Sequence, residues 1–222
     1  LSYDIGADEF DGIPTNVCAA PANQPTNLEL NSTLTTITGG FVAAASAPDG
    51  YLVVYSTSSE LSSNPVNGTA YQTGDNFGNA TVMQRSSSTT INATGLGSGA
   101  HYYIFVFSYN SNDCQGGPKY LTTSPLSGNI YTLPGDATAF TATSINSSQI
   151  DLSWALNAGL NDVIVAINTE NTFGSPSGSY NVGDGISGGG TVIYKGNGTT
   201  YSVNGLSEYT TYYFKIWSFN PT

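Results

Sequence analysis

Positive charge is almost missing from this chain. Its 222 residues carry four Lys+Arg against fifteen Asp+Glu, a formal net charge of −11. Phosphate backbones and anionic lipid surfaces repel such a molecule, so binding to nucleic acid or to a membrane surface is disfavoured. Histidine occurs once, at His101, and cysteine twice, at Cys18 and Cys114. That inventory excludes a His-based metal cluster and a structural zinc site, which need several such ligands together. A Ser–His–Asp triad would have to use His101, whose place at the entrance of a strand points to an ordinary surface role. No apolar run approaches the roughly twenty residues that span a bilayer, so membrane insertion is not expected. No amphipathic helical stretch is present either. The chain opens at Leu1 without a signal-peptide pattern and reads as a mature or excised fragment.

What is abundant is Gly, Ser, Thr, Asn, Tyr and Val, the mix of strands joined by turns. Polar, weakly charged, tyrosine-rich surfaces suit an extracellular or cell-surface location. The length fits one large domain or two of about a hundred residues each, and an internal repeat points to two. TGLGSGAHYYIFVFSYN (94–110) returns as NGLSEYTTYYFKIWSFN (204–220). Upstream, DGYLVVYSTSS (49–59) and GDNFGNATV (74–82) return as NDVIVAINTEN (161–171) and GDGISGGGTV (183–192).

The second copy resembles a fibronectin type III domain. Gly205-Leu206 with Thr211-Tyr212-Tyr213-Phe214-Lys215-Ile216 matches that family's segment at the start of strand F. Tyr212 falls on its tyrosine corner, and Trp154 in QIDLSW on the core tryptophan of strand B. In the first copy Gly95-Leu96 and Tyr102 match, while Phe41 in TITGGF stands where the tryptophan would be and can fill its volume. The resemblance covers about residues 18–220. It implies an all-β chain of two tandem fibronectin type III-like (immunoglobulin-like) β-sandwiches. Residues 1–17 would be the tail of a preceding domain or a leader, 18–133 the first domain and 134–222 the second, divided at Leu133-Pro134-Gly135-Asp136. In this fold the start of strand A and the F–G loop share a pole. A Cys18–Cys114 disulfide would therefore clip one to the other; the plainer reading is two unrelated buried thiols.

Both ends of the sequence look cut. Asp4-Ile5-Gly6-Ala7-Asp8-Glu9-Phe10 resembles the closing strand of right-handed parallel β-helix domains of secreted bacterial proteins; a flexible acidic leader carrying Asp4, Asp8, Glu9 and Asp11 is the other reading. FKIWSFNPT stops just after strand F, so the second domain is expected to lack strand G. Its open strand F edge could be paired by continuing chain or by another chain, which permits self-assembly.

Strand F raises the functional question. In HYYIFVFSYN both faces are apolar, although a sheet strand of a sandwich meets the core on one face only. The family's inward positions put Tyr51, Val53, Tyr55, Tyr102, Ile104 and Val106 in the core. Leu52, Val54, Tyr103, Phe105, Phe107 and Tyr109 are left on the outer face, matched in the second copy by Ile164, Ala166, Tyr213, Trp217 and Phe219 with Lys215 between. So large an apolar patch needs a cover. The long insertion after strand C supplies spaced apolar residues for it: Leu61, Val66, Tyr71 and Phe77 in one copy, Phe173, Tyr180, Val182 and Ile186 in the other. The alternatives are a ligand, since aromatic rows can stack on sugar rings, or a facing domain. Tyr103, Phe105, Phe107, Tyr109, Tyr213, Trp217 and Phe219 thus form the candidate binding or partner face, and any of them left at the rim is the best candidate.

Chemistry is not encoded in any recognisable constellation. The carboxylates are scattered through turns without a repeated close pair. GDGISGGG (183–190) lacks the Lys-Ser/Thr of a phosphate loop and reads as a turn-rich hairpin. Asp75 and Asp184 occupy matching places and are weak calcium candidates, though such residues more often cap turns; no other cofactor is implied. Asn-x-Ser/Thr strings at Asn31, Asn67, Asn79, Asn92, Asn146 and Asn197 need no more than chance in this composition. The expectation is a non-enzymatic spacer and adhesion module of a larger secreted or cell-surface bacterial protein, engaging a polysaccharide or another extracellular protein chain. The alternative is a structural subunit of a filament assembled by β-strand complementation.

Overall fold

The structure, a computed structural model, describes residues 16–112 and 114–220. The DIGADEF string and its acidic residues lie outside the described residues. Among those described there are fifteen β-strands and no helix. The first nine are β1 (Thr26–Ser32), β2 (Ile37–Val42), β3 (Gly50–Ser56), β4 (Asn76–Phe77), β5 (Ala80–Ser86), β6 (Thr90–Ala93), β7 (His101–Asn110), β8 (Lys119–Tyr120) and β9 (Leu126–Tyr131). They form a three-stranded sheet in the order β1-β2-β6 and a larger sheet in the order β4-β5-β3-β7-β8, in which β9 also pairs with β7. The remaining six are β10 (Thr138–Asn146), β11 (Gln149–Ala155), β12 (Asp162–Asn168), β13 (Thr191–Gly196), β14 (Thr200–Asn204) and β15 (Tyr213–Phe219). These build two three-stranded sheets, β10-β11-β14 and β13-β12-β15.

The strands divide between two compact units. The first takes the chain up to Asn31, Thr38–Ala93 and Tyr102–Ile130; the second takes Ser32–Ile37, Thr94–His101 and the chain from Tyr131 onward.

Each unit has the inner core that the alternation demands. In the first, Val53, Ile104 and Val106 are fully buried. Phe41 is buried and meets Tyr51 edge-on at 4.9 Å between ring centroids. Tyr55 and Tyr102 make a similar edge contact at 5.5 Å. In the second, Leu152, Trp154, Val163, Val165 and Val203 form the core, and Trp154 packs edge-on against Tyr194 at 5.2 Å. The Tyr212 hydroxyl accepts from the Ser207 amide at 3.0 Å, tying the start of β15 back to the turn before it as a tyrosine corner does.

The repeat extends to register. Leu52 lies opposite Phe107 and Val54 opposite Phe105; Ile164 lies opposite Trp217 and Ala166 opposite Lys215. Both copies carry an irregularity at the same place, between Val53 and Val54 against β5 and between Val165 and Ala166 against β13. The end of each insertion is therefore itself a strand, β5 or β13, so less of it is loop than its composition suggests.

Cys18 and Cys114 form a disulfide across a Cα–Cα distance of 4.9 Å and a sequence separation of 96. The backbone reinforces it: the Cys18 amide donates to the Gln115 carbonyl at 2.9 Å, and the Gln115 amide to the Asn16 carbonyl at 2.8 Å. Closing so long a loop limits the unfolded chain far more than the folded one. Replacing both cysteines by serine is expected to lower the unfolding free energy of the first unit by about 2–5 kcal/mol. Urea denaturation under oxidising conditions reads the loss, and adding a reductant should then change the wild type but not the variant.

Candidate functional site

The outer face of the first large sheet is closed. Leu52, Val54, Phe105, Phe107 and Tyr109 from β3 and β7 pack with Tyr71, Phe77, Ala80 and Val82 into one buried cluster, with Leu61 and Tyr103 against it. Phe107 is fully buried, so the second apolar face of β7 exists to receive the insertion. Tyr71 and Phe77 approach within 5.1 Å between centroids. Val66 does not join them. It is 59% exposed, because its place is a turn where the Val66 amide donates to the Tyr71 hydroxyl and only the ring goes inward.

One buried aromatic in this layer comes from outside the insertion. Tyr120, on the segment after β7, pairs with Tyr109 and lies 5.8 Å from its ring and 6.0 Å from that of Tyr71. Its amide donates to Asn67 Oδ1 at 2.9 Å and its hydroxyl to the Thr69 carbonyl at 2.8 Å, while the Gly68 amide donates to the Pro118 carbonyl at 2.8 Å. The insertion and the segment after β7 thus lock each other over the face. Arg85 of β5 lays its guanidinium over the Tyr109 ring at 4.6 Å. Phe105, Phe107 and Tyr109 are consequently interior residues, and only Tyr103 stays partly exposed.

The second unit repeats the layer but leaves it ajar. Ile164, Ala166, Ile186 and Val192 are buried together, with Phe173, Tyr180, Trp217 and Phe219 packed against them and only partly covered. Tyr213 is partly exposed and lies outside this cluster. Val182, expected under the cover, is 61% exposed; it precedes the Gly183 turn and faces solvent. Gly190 has to be glycine here: its φ is +97° and a Cβ would press on the Phe173 ring at 2.8 Å. Phe173 in turn meets Trp217 edge-on at 6.1 Å. Lys195 matches Arg85 in the repeat, and its ammonium lies 5.6 Å from the Phe219 ring centre. A groove of about 340 Å³ remains beside β15, lined among others by Ile164, Pro176, Tyr180, Lys195, Trp217 and Phe219.

The other candidates have structural partners. Asp75 Oδ2 accepts from the Gln72 amide and Asp184 Oδ2 from the Asn181 amide, each at 2.7 Å, so both carboxylates cap turns. No three His, Cys, Asp or Glu side chains converge on one point among the described residues. His101 stacks on Tyr131 at 4.0 Å between centroids. Of the glycosylation-type asparagines, Asn67 Oδ1 accepts from the Tyr120 amide, while Asn79 serves the insertion itself: its Oδ1 accepts from the Ser62 amide and its Nδ2 donates to the Glu60 carbonyl.

No protein-family model matches the chain, and no curated protein does. Solved structures do resemble it. A two fibronectin type III domain segment from chicken tenascin aligns with 90% of this chain and 92% of its own, at 18% identity and a TM-score of 0.50. A central fibronectin-III array of RIM-binding protein aligns with 93% of this chain and 66% of its own, at 13% identity and a TM-score of 0.34. The fold is all-β and is that of two tandem fibronectin type III domains.

Tyr120 offers a check on the closed face. Burial pushes its phenol up to about 12, with the Arg85 guanidinium opposing, and burial raises Tyr109 as well. In the unfolded chain a tyrosine ionises near pH 10, so packing favours the neutral ring. The stability this contributes is complete below about pH 10 and is lost as pH rises towards about 12. In an alkaline titration followed by tyrosinate absorbance, one ring should ionise only at the end of that window. Tyr120→Phe should remove this last phase and flatten the fall in stability; an unaltered profile would show that Tyr120 is not the sealed ring.

Proposed function

We propose that this chain is a non-catalytic extracellular spacer and adhesion module of a larger secreted or cell-surface bacterial protein, attaching to another protein chain. The observation that carries this reading is the cover over the first outer face. A flat aromatic row able to stack on polysaccharide is not on offer once Phe105, Phe107 and Tyr109 are under the insertion. In the layer of the second unit Phe173, Tyr180, Trp217 and Phe219 stay partly open, with Trp217 and Phe219 on β15. There the sheet order makes β15 an edge strand among the described residues, with β12 as its paired neighbour, and an exposed edge favours recognition by backbone pairing with an extended segment. The disulfide supports an oxidising, extracellular setting. The bacterial, multidomain context is supported by the resemblance of Asp4-Ile5-Gly6-Ala7-Asp8-Glu9-Phe10 alone.

The competing reading is a filament subunit in which neighbouring copies complete one another's sheets. Sedimentation separates the two. A spacer should sediment as a monomer across about a hundredfold range of concentration, with a melting temperature independent of concentration. Growth of oligomers with concentration, accompanied by a rising melting temperature, would replace it with the self-assembling subunit.

A further inference from the structure

The cover over the first outer face is fastened close to the disulfide. From Cys114 the chain runs Gln115-Gly116-Gly117-Pro118-Lys119-Tyr120. The Pro118 carbonyl accepts from the Gly68 amide, the Tyr120 amide donates to Asn67 Oδ1 and the Tyr120 hydroxyl to the Thr69 carbonyl. Pro118 and Tyr120 are both buried, and the Tyr120 ring lies beside those of Tyr71 and Tyr109.

The ties at either end of this stretch are distinct from the cover. Upstream, Asp49 Oδ2 accepts from the Ser111 and Asn112 amides at 2.6 and 2.7 Å. Downstream, β8 pairs with the end of β7, and the Leu121 amide donates to the Ser108 carbonyl at 2.9 Å. Between them the chain leans on Cys18. The disulfide joins Cys18 to Cys114, and the Cys18 amide donates to the Gln115 carbonyl. Gly117 passes so close that a Cβ there would lie 2.6 Å from Cys18 Sγ. The next residue is Pro118, whose carbonyl grips the insertion. A short run with two glycines therefore connects the sulfur bridge to the cover.

The bridge is open to attack from one side. Cys18 is buried, whereas Cys114 is partly exposed. The thiolate of a dithiol reductant attacks Cys114 Sγ, the S–S bond breaks, and Cys18 leaves as a thiolate and takes up a proton. The second thiol of the reductant then closes on the first and releases Cys114 as a thiol, so two electrons pass from the dithiol to the bridge. After that, Gln115 is held to the entry of the chain by backbone hydrogen bonds alone, at an exposed position where water competes for them.

We propose that the Cys18–Cys114 bridge is a redox-sensitive catch on the cover: its reduction frees residues 114–118, draws Tyr120 from beside Tyr71 and Tyr109, and opens the outer face of the first large sheet while the inner core stays folded. The inference goes beyond the module reading above and does not depend on the partner it names. It also differs from the stabilising effect of closing a long loop, which acts on the unfolded chain and leaves the folded cover as it is.

Amide hydrogen exchange on the whole 222-residue chain, first oxidised and then held in dithiothreitol, reads the change residue by residue. Reduction should quicken exchange at Gly68 and Tyr120 by about tenfold, the size of a typical coupling between two sites, and leave Val53 and Ile104 of the inner core unaltered. Coupling is reciprocal. Tyr120→Phe, which removes the hydroxyl bond to Thr69 and keeps the ring, should therefore shift the thiol–disulfide equilibrium several-fold towards the reduced chain. Exchange at Gly68 and Tyr120 that ignores the reductant overturns the proposal. Protection lost at all amides together overturns it too, because the bridge is then a tie on global folding only. An equilibrium unmoved by Tyr120→Phe does the same.

Discussion

A strand with two apolar faces must be covered twice, and much of this molecule follows from that constraint on β7. One face is covered by the opposing sheet, as in any sandwich. The other would leave Leu52, Val54, Phe105, Phe107 and Tyr109 in water, a cost of about 25 cal/mol for each Å² of apolar surface. The insertion between β3 and β5 removes that cost by laying Leu61, Tyr71 and Phe77 over the face. The hydrogen bonds around Tyr120 then hold the cover shut, so a long Gly-, Asn- and Ser-rich segment is ordered by what lies under it. The sandwich thereby becomes three layers thick on one side.

Read residue by residue, the sequence carried the covered face and missed part of its cover. Two-residue periodicity in HYYIFVFSYN identifies both faces, and the insertion's spaced aromatics match them because apolar side chains in a long polar segment have few other uses. Val66 and Val182 were drawn into that pattern wrongly, since each lies at a turn whose backbone geometry turns a small side chain outward. Tyr120 was invisible for a different reason. The repeat aligns 94–110 with 204–220 and gives residues 111–131 no counterpart, so nothing marked that tyrosine as part of the layer. The one available signal was a tyrosine in a two-residue strand-like step, Lys119-Tyr120, next to a Gly-Gly-Pro turn. The aromatic–cation pairs, Arg85 with Tyr109 and Lys195 with Phe219, were likewise legible only as two of the few cations recurring at one repeat position. The disulfide was different again: its pairing came from knowing which pole of the fold holds each cysteine, not from their spacing.

The two copies diverge where the groove lies, and the divergence is coordinated across the ladder. Gly50 sits opposite Tyr109, and a Cβ there would come within 2.5 Å of the Tyr109 hydroxyl. Tyrosine at 109 therefore demands glycine at 50, and the ring so admitted packs against Tyr120 on one side and under Arg85 on the other. In the second copy the opposed pair is Asp162 and Phe219. The position opposite the ring there carries a side chain, Asp162, rather than a glycine. A lysine, with a compact ammonium on a flexible stem, replaces the planar guanidinium and lies further from the ring, at 5.6 Å against 4.6 Å. Lys215 replaces Phe105 one step further along, which forfeits an apolar contact within the sheet face. The change to Lys215 lowers the apolar area the second face must hide and lets it stay partly open without the full cost that an uncovered β7 would incur. Partial exposure therefore costs the second face less than it would cost the first, whose Phe105, Phe107 and Tyr109 are all buried.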